Sequence, residues 1–581
     1  MAERRTRRRQ VGLRVFLWVY LVLALFVPLV TLAVVAFTNQ PVNPLNALLS
    51  GNLRELVDLL KQFSFQPVIE VFQTARYRQA LVNSLLLSLS VAFIATVVGT
   101  LVAFATIKPH VPGRRIWWVL SAMPLAIPPF LGAIAFKLLA GRGGVLPKVL
   151  APLGIAWPVD AVYSYGGVIL VQVVTLMPVV SLGVRAALQR IDTALGEAAF
   201  TLGATPGMVL SMVTLPLLLP SLGAGFLLVF MRSFGDFATP LILLPPSKKL
   251  LILEAYKDLT GGLFWAEAAI QSLLIILVVV TAMAAERRIL AGRDYHSLGH
   301  RAGSIVEGAV IGELRLPHQK GPTIGERLLA VIAGVVFAIP ILLILGMGLL
   351  ALTASWGDRA FPDALTWLNL TRVTVTAPRP LLITLIVSAI TILVALALGT
   401  LASYQFQRRP QRGDAALQFS LNMPMVLPGI ALGIGMIAAY NAPPLALHPS
   451  PFLLILSYVL TRTPNAVASA GAALHQLPSS LEEASATLGS VPLFTHRHVL
   501  LPMLSPALLS AAVMIFFSVA HDISLTLLLA PTYFIPASIS MYHEMDSGRL
   551  FMAAAYGLVL FLVTVIPYIL QTLWQSRRTA Q

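Results

Sequence analysis

The chain has 581 residues, of which 57% are hydrophobic and only 11% charged, and its mean hydropathy is +0.84. A water-soluble core cannot hide so much apolar surface, so the composition excludes a soluble globular protein and predicts an integral membrane protein. The formal net charge is +16 and there is no cysteine, which excludes disulfides, thiolate metal sites and iron–sulfur clusters.

Apolar runs of roughly 20 residues recur along the whole chain, and this is the length that a helix needs to cross a hydrocarbon core of about 30 Å. Because lipid satisfies no peptide groups, we predict an all-α polytopic protein with about twelve spans. The predicted spans are 13–37, 80–107, 116–140, 165–188, 217–240, 266–285, 328–353, 380–405, 415–440, 451–475, 503–530 and 549–574.

The basic residues predict the orientation. If every span crosses the membrane, "RRTRRR" at 4–9, "KPHVPGRR" at 108–115, "RRPQR" at 408–412 and "SRR" at 576–578 lie on one side. Positively charged loops stay on the cytoplasmic face, so both termini are expected in the cytoplasm. The positive charge then reflects topology and contact with anionic lipid head groups, and we do not interpret it as nucleic-acid binding. The first apolar run is too long for a signal-peptide core and is expected to remain as a helix.

The chain contains an internal repeat. "EAAFTLGATPGMVLSMVTLPLLLP" at 197–220 and "EASATLGSVPLFTHRHVLLPMLSP" at 483–506 are identical at 11 of 24 positions, with an offset of 286. "GTLVAF" at 99–104 and "GTLASY" at 399–404 match with an offset of 300. Six spans per half is an even number, so the halves are parallel and related by an axis along the membrane normal.

The repeat divides the chain into three parts: a first half at 1–285, a cytoplasmic linker without predicted fold at 286–327, and a second half at 328–581. Each copy of the 24-residue repeat begins in the inner loop between the fourth and fifth spans of its half. These two loops are at 189–216 and 476–502. A short helix is predicted in each loop.

The helix boundaries are predicted from local signals. Asp192 is expected to cap the first loop helix, and Ser480 and Glu483 have the spacing of a capping box for the second. Gly203 and Gly489 are expected to end the two helices. Side chains of little bulk, which let a partner approach the backbone, lie along both helices: Ala198, Ala199, Ala484 and Ser485. The alternative is a surface helix that caps the bundle, but two copies in symmetric positions favour docking of a twofold soluble partner.

These motifs resemble those of the permease subunits of bacterial binding-protein-dependent ABC importers of the type I fold. The family pattern is E-A-A, three residues, G, nine residues, an aliphatic residue, one residue, and L-P. The first copy matches it fully, from Glu197, Ala198 and Ala199 through Gly203 to Pro216. The second copy, from Glu483 and Ala484 through Gly489 to Pro502, has Ser485 in place of the second alanine.

The resemblance implies a mechanism and a set of partners. In the family, each loop helix fits a cleft on an ATPase subunit, and closure of the ATPase homodimer on ATP swings the membrane halves from inward-facing to outward-facing. A periplasmic or lipid-anchored binding protein delivers the solute. This chain has no phosphate-binding loop, since "GPTIGERL" at 321–328 lacks the required Lys and Ser/Thr. ATP and Mg are therefore expected on a partner ATPase, with no cofactor and no catalytic or metal site in this chain.

A secondary transporter of the major facilitator type is the rival interpretation, since it also has twelve spans in two parallel halves. Its acidic-basic Gly-rich loop between the second and third spans would be expected in "KPHVPGRR", which lacks the acidic residue. A channel is a weaker alternative. A carrier without an ATPase has no use for two loop helices.

Ionisable residues within predicted spans are costly and therefore suggest a solute path. The candidates are Arg232, Asp236, His521 and Asp522, of which Asp236 and Asp522 are repeat equivalents. Arg232 and Asp236 have i,i+4 spacing, so a structural ion pair is the competing interpretation. Weaker candidates, more typical of helix–helix hydrogen bonds, are Lys137, Gln172, Asn83, Asn422 and Arg462. No second histidine lies within helical reach of His521, which argues against a tight metal site.

The solute is predicted from resemblance alone. One chain carrying both halves, with "FGDFATP" at 234–240 and "HDISLTLLL" at 521–529, is most similar to the ferric-iron branch of the family. Related branches that transport thiamine, 2-aminoethylphosphonate and polyamines remain alternatives.

Overall fold

The computed structural model describes residues 2–38, 61–108, 110–121, 127–290, 322–357, 359–443 and 445–579. Within these residues, ten helices are long and apolar enough to cross a membrane, and a sharply bent helix pair makes an eleventh. Twelve spans were predicted. The twelfth corresponds to the 26-residue helix Pro451–Gln476, which is less apolar because it contains Arg462 and Asn465. The all-α polytopic fold is confirmed.

The first half begins with a long helix made of α1 (Ala2–Leu21), a π turn (Val22–Phe26) and α2 (Val27–Thr38). The further helices are, in chain order, α3 (Gln66–Gln73), α4 (Ala75–Ile107), α5 (Arg114–Ser121), α6 (Pro129–Ala140), α7 (Val145–Leu150), α8 (Val159–Val162), α9 (Tyr165–Leu188), α10 (Thr193–Thr201), α11 (Pro206–Val209), α12 (Leu215–Phe234), α13 (Ala238–Leu243), α14 (Leu251–Lys257) and α15 (Trp265–Leu290).

The second half starts with α16 (Ile324–Ala351), followed by a short hairpin of β1 (Thr353–Ser355) and β2 (Ala364–Leu365). The further helices are, in chain order, α17 (Leu368–Thr371), α18 (Arg379–Arg408), α19 (Asp414–Asn422), α20 (Gly429–Tyr440), α21 (Pro451–Gln476), α22 (Ser480–Thr487), α23 (Pro492–Thr495), α24 (Leu501–Ala520), α25 (Ser524–Leu529), α26 (Ala537–Asp546) and α27 (Leu550–Thr579). The region predicted as linker at 286–327 is helical at both described ends, up to Leu290 and from Ile324, while 291–321 lie outside the described residues.

The two halves have the same packing. In the first, α4 packs against α9 and α12, and in the second, α18 packs against α21 and α24. Gly99 and Gly399 permit this closeness, since a Cβ would lie 2.8 Å from the carbonyl oxygen of Met177 at Gly99 and 2.4 Å from Cβ of Ala466 at Gly399. Small residues at such crossings let membrane helices approach. The repeated "GTL" therefore reflects a packing requirement that both halves share.

The first helix of each half also packs against the other half. Helix α2 contacts α15 of its own half and α20 of the second half. Helix α16 contacts α27 of its own half and α6 of the first half. This reciprocal exchange makes the two halves one body.

The third predicted span of each half is wrong as a continuous helix. Helix α20 has 12 residues, or about 18 Å, which is too short to cross about 30 Å of hydrocarbon by itself. In the first half, the candidate span runs from Pro129 to Leu153, through α6 and α7, in place of the predicted 116–140. Asp414–Met425 and Gly429–Tyr440 meet at 107°. Pro128 and Pro428 have extended backbone directly before α6 and α20, which prevents a continuous helix.

The fifth predicted span of each half is also shorter than expected. Helix α12 ends at Phe234 and α24 ends at Ala520, and the short helices α13 and α25 follow after three residues each. The two breaks are repeat equivalents, and each contains one of the candidate aspartates. We call the face of the bundle that carries α10 and α22 the inner face, following the charge asymmetry of the sequence.

Candidate functional site

The first candidate site consists of the two loop helices on the inner face. The Asp192 side chain accepts a hydrogen bond from the backbone N–H of Ala194 at 2.9 Å, which confirms it as the cap of α10. Helix α22 begins at Ser480 as expected, but Ser479 is its cap and makes no side-chain hydrogen bond. The predicted capping box of Ser480 and Glu483 is therefore wrong, because Ser480 is already the first residue of the helix.

Both loop helices end in the same way. Gly203 and Gly489 have φ of +83° and +81°, the left-handed conformation that favours glycine. The N–H of each glycine donates to a carbonyl three residues back, and the N–H of the next residue donates to a carbonyl five residues back, at Ala199 and Ser485. This is the Schellman arrangement, and it ends both helices as predicted.

The motif residues divide into an exposed set and an inward set. Glu197, Ala198, Gly203, Glu483, Ala484 and Gly489 are exposed. Ala199 is half-buried and Ser485 is buried. The Ser485 hydroxyl lies 2.8 Å from the Thr495 hydroxyl, and the repeat equivalents of this pair are Ala199 and Val209. Ser485 therefore packs the loop helix onto its own return segment, in place of the exposed position expected from the motif.

An exposed leucine caps each loop helix directly before the left-handed glycine. Leu202 is 89% exposed and its repeat equivalent Leu488 is 86% exposed. Exposed apolar side chains next to an accessible helix are typical of an interaction surface. The family pattern does not specify this position. The only signal for it in the sequence is that leucine occurs at the same place in both copies of the repeat, which are offset by 286 residues.

The second candidate site lies at the breaks after α12 and α24. Asp236 accepts hydrogen bonds from the N–H of Ala238 at 3.0 Å and from the side-chain amide of Gln172 at 2.8 Å. The Gln172 carbonyl oxygen in turn accepts from the Ser233 hydroxyl at 2.7 Å. Asp236 thus holds the start of α13 and is hydrogen-bonded to the neutral side chain of Gln172. It forms no ion pair with Arg232 in the structure. The competing interpretation of a helical ion pair is wrong.

Asp522 has a charged partner. One carboxylate oxygen accepts from the N–H of Leu525 at 3.0 Å, and the other lies 2.6 Å from Nη2 of Arg462. Arg462 lies on α21, so this ion pair joins the fourth and fifth helices of the second half. Arg462 was only a weaker candidate from the sequence. It is 60 residues from Asp522 along the chain, so no local pattern connects the two residues.

The other two candidates have different environments. The Arg232 side chain is exposed although its neighbours Met231 and Ser233 are buried. His521 is 4% exposed, and its Nδ1 donates to the carbonyl of Phe517 at 3.0 Å. Among the described residues, no three His, Asp or Glu side chains come together as a metal site.

A further ionic cluster on the opposite face was missed. Glu254 and Asp258, both 2% exposed, accept from Arg76, whose Nη2 lies 2.8 Å from Asp258. Gln271 donates to Asp258 at 2.6 Å and Lys257 pairs with Glu254 at 3.1 Å. The signal in the sequence is the i,i+4 spacing of Glu254 on α14 and Asp258 directly after it, which carries no information about Arg76 on α4.

Comparisons with known proteins agree with this architecture. The family model described as "Binding-protein-dependent transport system inner membrane component" matches the chain twice, at residues 95–291 and 395–580. The chain belongs to this family. It is therefore a permease subunit of an ABC importer, a multi-pass protein of the inner membrane, and not an enzyme. The major facilitator interpretation is wrong.

Individual relatives cover different shares of the chain. The "Ferric transport system permease protein FbpB" of Actinobacillus pleuropneumoniae is 26% identical over 573 residues, which cover 94% of this chain and 81% of that protein. The "Putative 2-aminoethylphosphonate transport system permease protein PhnU" of Salmonella typhimurium is 31% identical over 239 residues, 40% of this chain and 77% of that protein. The "Molybdenum transport system permease protein ModB" of Mycobacterium tuberculosis is 33% identical over 208 residues, 35% of this chain and 76% of that protein.

Proposed function

We propose that α10 and α22 dock a partner ATPase homodimer, which binds ATP and Mg, and that ATP-driven closure of this dimer moves the two halves. The observation that carries the proposal is the symmetric pair of exposed helices, each ended by a left-handed glycine and capped by an exposed leucine. The exposed residues Glu197, Ala198, Gly203, Glu483, Ala484 and Gly489 form the docking surface, together with Leu202 and Leu488. Both termini then lie in the cytoplasm, and a periplasmic or lipid-anchored binding protein delivers the solute.

The proposed solute is ferric iron. Its support is the relative whose name includes ferric transport, which aligns with 94% of this chain across both halves, whereas the aminoethylphosphonate and molybdenum relatives align with 40% and 35%. 2-Aminoethylphosphonate is the second candidate, supported by PhnU, which is 31% identical over 40% of this chain. Thiamine and polyamines are further alternatives within the same machinery.

The solute path includes the breaks after α12 and α24. Arg232, Asp236, His521 and Asp522 cluster in or next to these two breaks, at the repeat-equivalent ends of the fifth helices. Arg232 is the most exposed side chain of this set, and Asp522 is held by Arg462. We therefore propose that Arg232 faces the solute path, where its guanidinium can donate to anionic groups but cannot ligate a ferric ion itself, while Asp236 and Asp522 fix the ends of the short helices.

Purification and reconstitution test this function. The full-length chain is expected to co-purify with two ATPase copies, and in proteoliposomes it should take up solute only with the ATPase, a binding protein and ATP. Uptake of radioactive ferric iron and of labelled 2-aminoethylphosphonate is compared in the same vesicles. Uptake driven by a proton or sodium gradient in the isolated chain would overturn the proposal. Uptake of 2-aminoethylphosphonate without uptake of iron would overturn ferric iron as the solute and favour the phosphonate.

The exposed leucines provide a sharper test of docking. Leu202→Asp together with Leu488→Asp should abolish ATPase co-purification, because a carboxylate cannot enter an apolar cleft without losing its hydration. Leu153→Asp is the matched control, since Leu153 is 67% exposed at the end of a short 3-10 helix between α7 and α8. Retention of the ATPase by the double variant would contradict docking at this surface.

A further inference from the structure

The second loop helix is fastened to a membrane helix by side chains from the inner end of α18. Nε of Arg408 lies 2.9 Å from one carboxylate oxygen of Glu482, and the Tyr404 hydroxyl donates to the other at 2.8 Å. One oxygen of Glu482, a residue of α22, is therefore hydrogen-bonded, while the other is in ion-pair contact with Arg408 without the alignment of a hydrogen bond. The Arg408 and Glu482 side chains are only 16% and 22% exposed, so the ion pair is partly shielded from solvent screening.

The same two α18 residues also contact the segments on either side of α22. Nη2 of Arg408 donates to the carbonyl of Leu477 at 2.6 Å, directly after α21. The Tyr404 ring meets the ring of His496 edge-on, with 4.3 Å between centroids, in the π turn after α23. One end of α18 thus holds both arms of the loop and the helix between them. We call Tyr404, Arg408 and Glu482 the latch.

The first half cannot form this latch. The repeat equivalents of Tyr404 and Arg408 are Phe104 and Lys108, with an offset of 300, and the equivalent of Glu482 is Gly196, with an offset of 286. Phenylalanine has no hydroxyl and glycine has no carboxylate. Helix α10 therefore lacks the carboxylate by which α18 holds α22, although its cap and its glycine end match those of α22.

We propose that the latch makes α22 and α18 move as one body, so that the two loop helices transmit force unequally. The proposal rests on the proposed function, in which α10 and α22 receive the movement of an ATPase dimer. Helix α18 packs against α21, which carries Arg462, and against α24, which ends next to Asp522. Movement at α22 therefore reaches the break after α24 through side-chain contacts, whereas α10 has Gly196 at the position of Glu482 and lacks this contact. Tyr404, Arg408 and Glu482 act as positioning residues and do not contact the solute.

Distance measurements test this directly, because the chain has no native cysteine to interfere with spin labels. One labelled pair, Leu401→Cys with Thr487→Cys, reports on α18 and α22. The repeat-equivalent pair, Leu101→Cys with Thr201→Cys, reports on α4 and α10. In the complex with ATPase, trapping of ATP should leave the first distance unchanged and shift or broaden the second. Glu482→Gln should make the first pair behave like the second. Equal changes in both pairs of the unaltered chain, or no effect of Glu482→Gln, would overturn the latch.

Coupling gives a second readout. Glu482→Gln should lower the uptake per ATP hydrolysed severalfold while ATPase co-purification is retained, and Tyr404→Phe, which introduces the residue of the first half, should have a smaller effect in the same direction. Asp160→Asn is the control for loss of a carboxylate, since its pair with Arg142 is largely exposed. An unchanged ratio in Glu482→Gln would contradict the latch alone. Failure of the unaltered chain to bind the ATPase would instead overturn the docking proposal on which the latch rests.

Discussion

Arg14 and Asp414, 400 residues apart, form a two-pronged ion pair between the first helix of one half and α19 of the other. Nε of Arg14 lies 2.9 Å from one carboxylate oxygen of Asp414, and Nη2 lies 3.0 Å from the other. Nη2 also donates to the carbonyl of Arg409 at 2.9 Å. Parallel bonds of this kind combine strength with a fixed orientation. The pair fixes the exchanged first helix at the inner face.

Loss of this pair should destabilise the whole chain. Asp414→Asn removes the charge that balances Arg14, whose side chain is only 13% exposed, so we expect a loss of about 2 kcal/mol in the free energy of unfolding. A lower melting temperature in detergent measures it. Asp160→Asn, which breaks the exposed pair with Arg142, should leave that temperature unchanged. Equal effects of the two variants would show that the Arg14 contact contributes no stability.

The two repeat-equivalent aspartates should respond differently to neutralisation. Asp522→Asn leaves Arg462 without its counter-charge, and we expect a cost of about 2 kcal/mol together with reduced uptake. Asp236→Asn should be tolerated, because Gln172 can rotate its amide, accept from the new Asn and donate to Ser233. Melting temperature and uptake of the two variants are compared. Greater damage from Asp236→Asn would contradict these partner assignments.

The left-handed glycines should be necessary for docking. A Cβ at Gly203 or Gly489 meets nothing within 4 Å, so Gly→Ala acts through backbone strain alone, at about 1 kcal/mol for each helix end. Gly203→Ala with Gly489→Ala should weaken ATPase co-purification, and asparagine at both positions should weaken it less because it tolerates this conformation. Gly348→Ala, at a glycine within α16 that also has open space, is the control. Full ATPase binding by the double alanine variant would argue against a role for these ends.

The motif glutamates should affect coupling without affecting the fold. Glu197 and Glu483 are exposed, so Glu197→Arg and Glu483→Arg should leave insertion and melting temperature unchanged. They should uncouple ATP hydrolysis from uptake, because a bulky opposite charge then faces the partner. ATPase activity and uptake are measured in the same proteoliposomes, with Asp160→Arg as a control for charge reversal. Survival of both activities in the double variant would refute docking through these side chains.

Local chemistry in the sequence was sufficient for the membrane class, the repeat and the loop helices. Apolar runs, basic loops and a capped small-residue segment are each contained within about 25 residues or fewer. They can therefore be recognised in the sequence without knowledge of tertiary contacts. Asp192, Gly203 and Gly489 were predicted in their observed roles for this reason. The capping box at Ser480 failed because the serine before it takes the cap position, a shift of one residue that local spacing does not decide.

Contacts between distant segments were decided by the tertiary structure alone. Arg462 with Asp522, Arg408 with Glu482 and Arg14 with Asp414 are separated by 60 residues or more, and each pair depends on which faces of two packed helices meet. The bend before α20 also escaped prediction, since the apolar sequence continues across Pro428 although the helix does not. Apolar composition determines that a segment enters the membrane. Whether it crosses as one helix, and which charge it meets there, depends on packing against helices that are distant in the sequence.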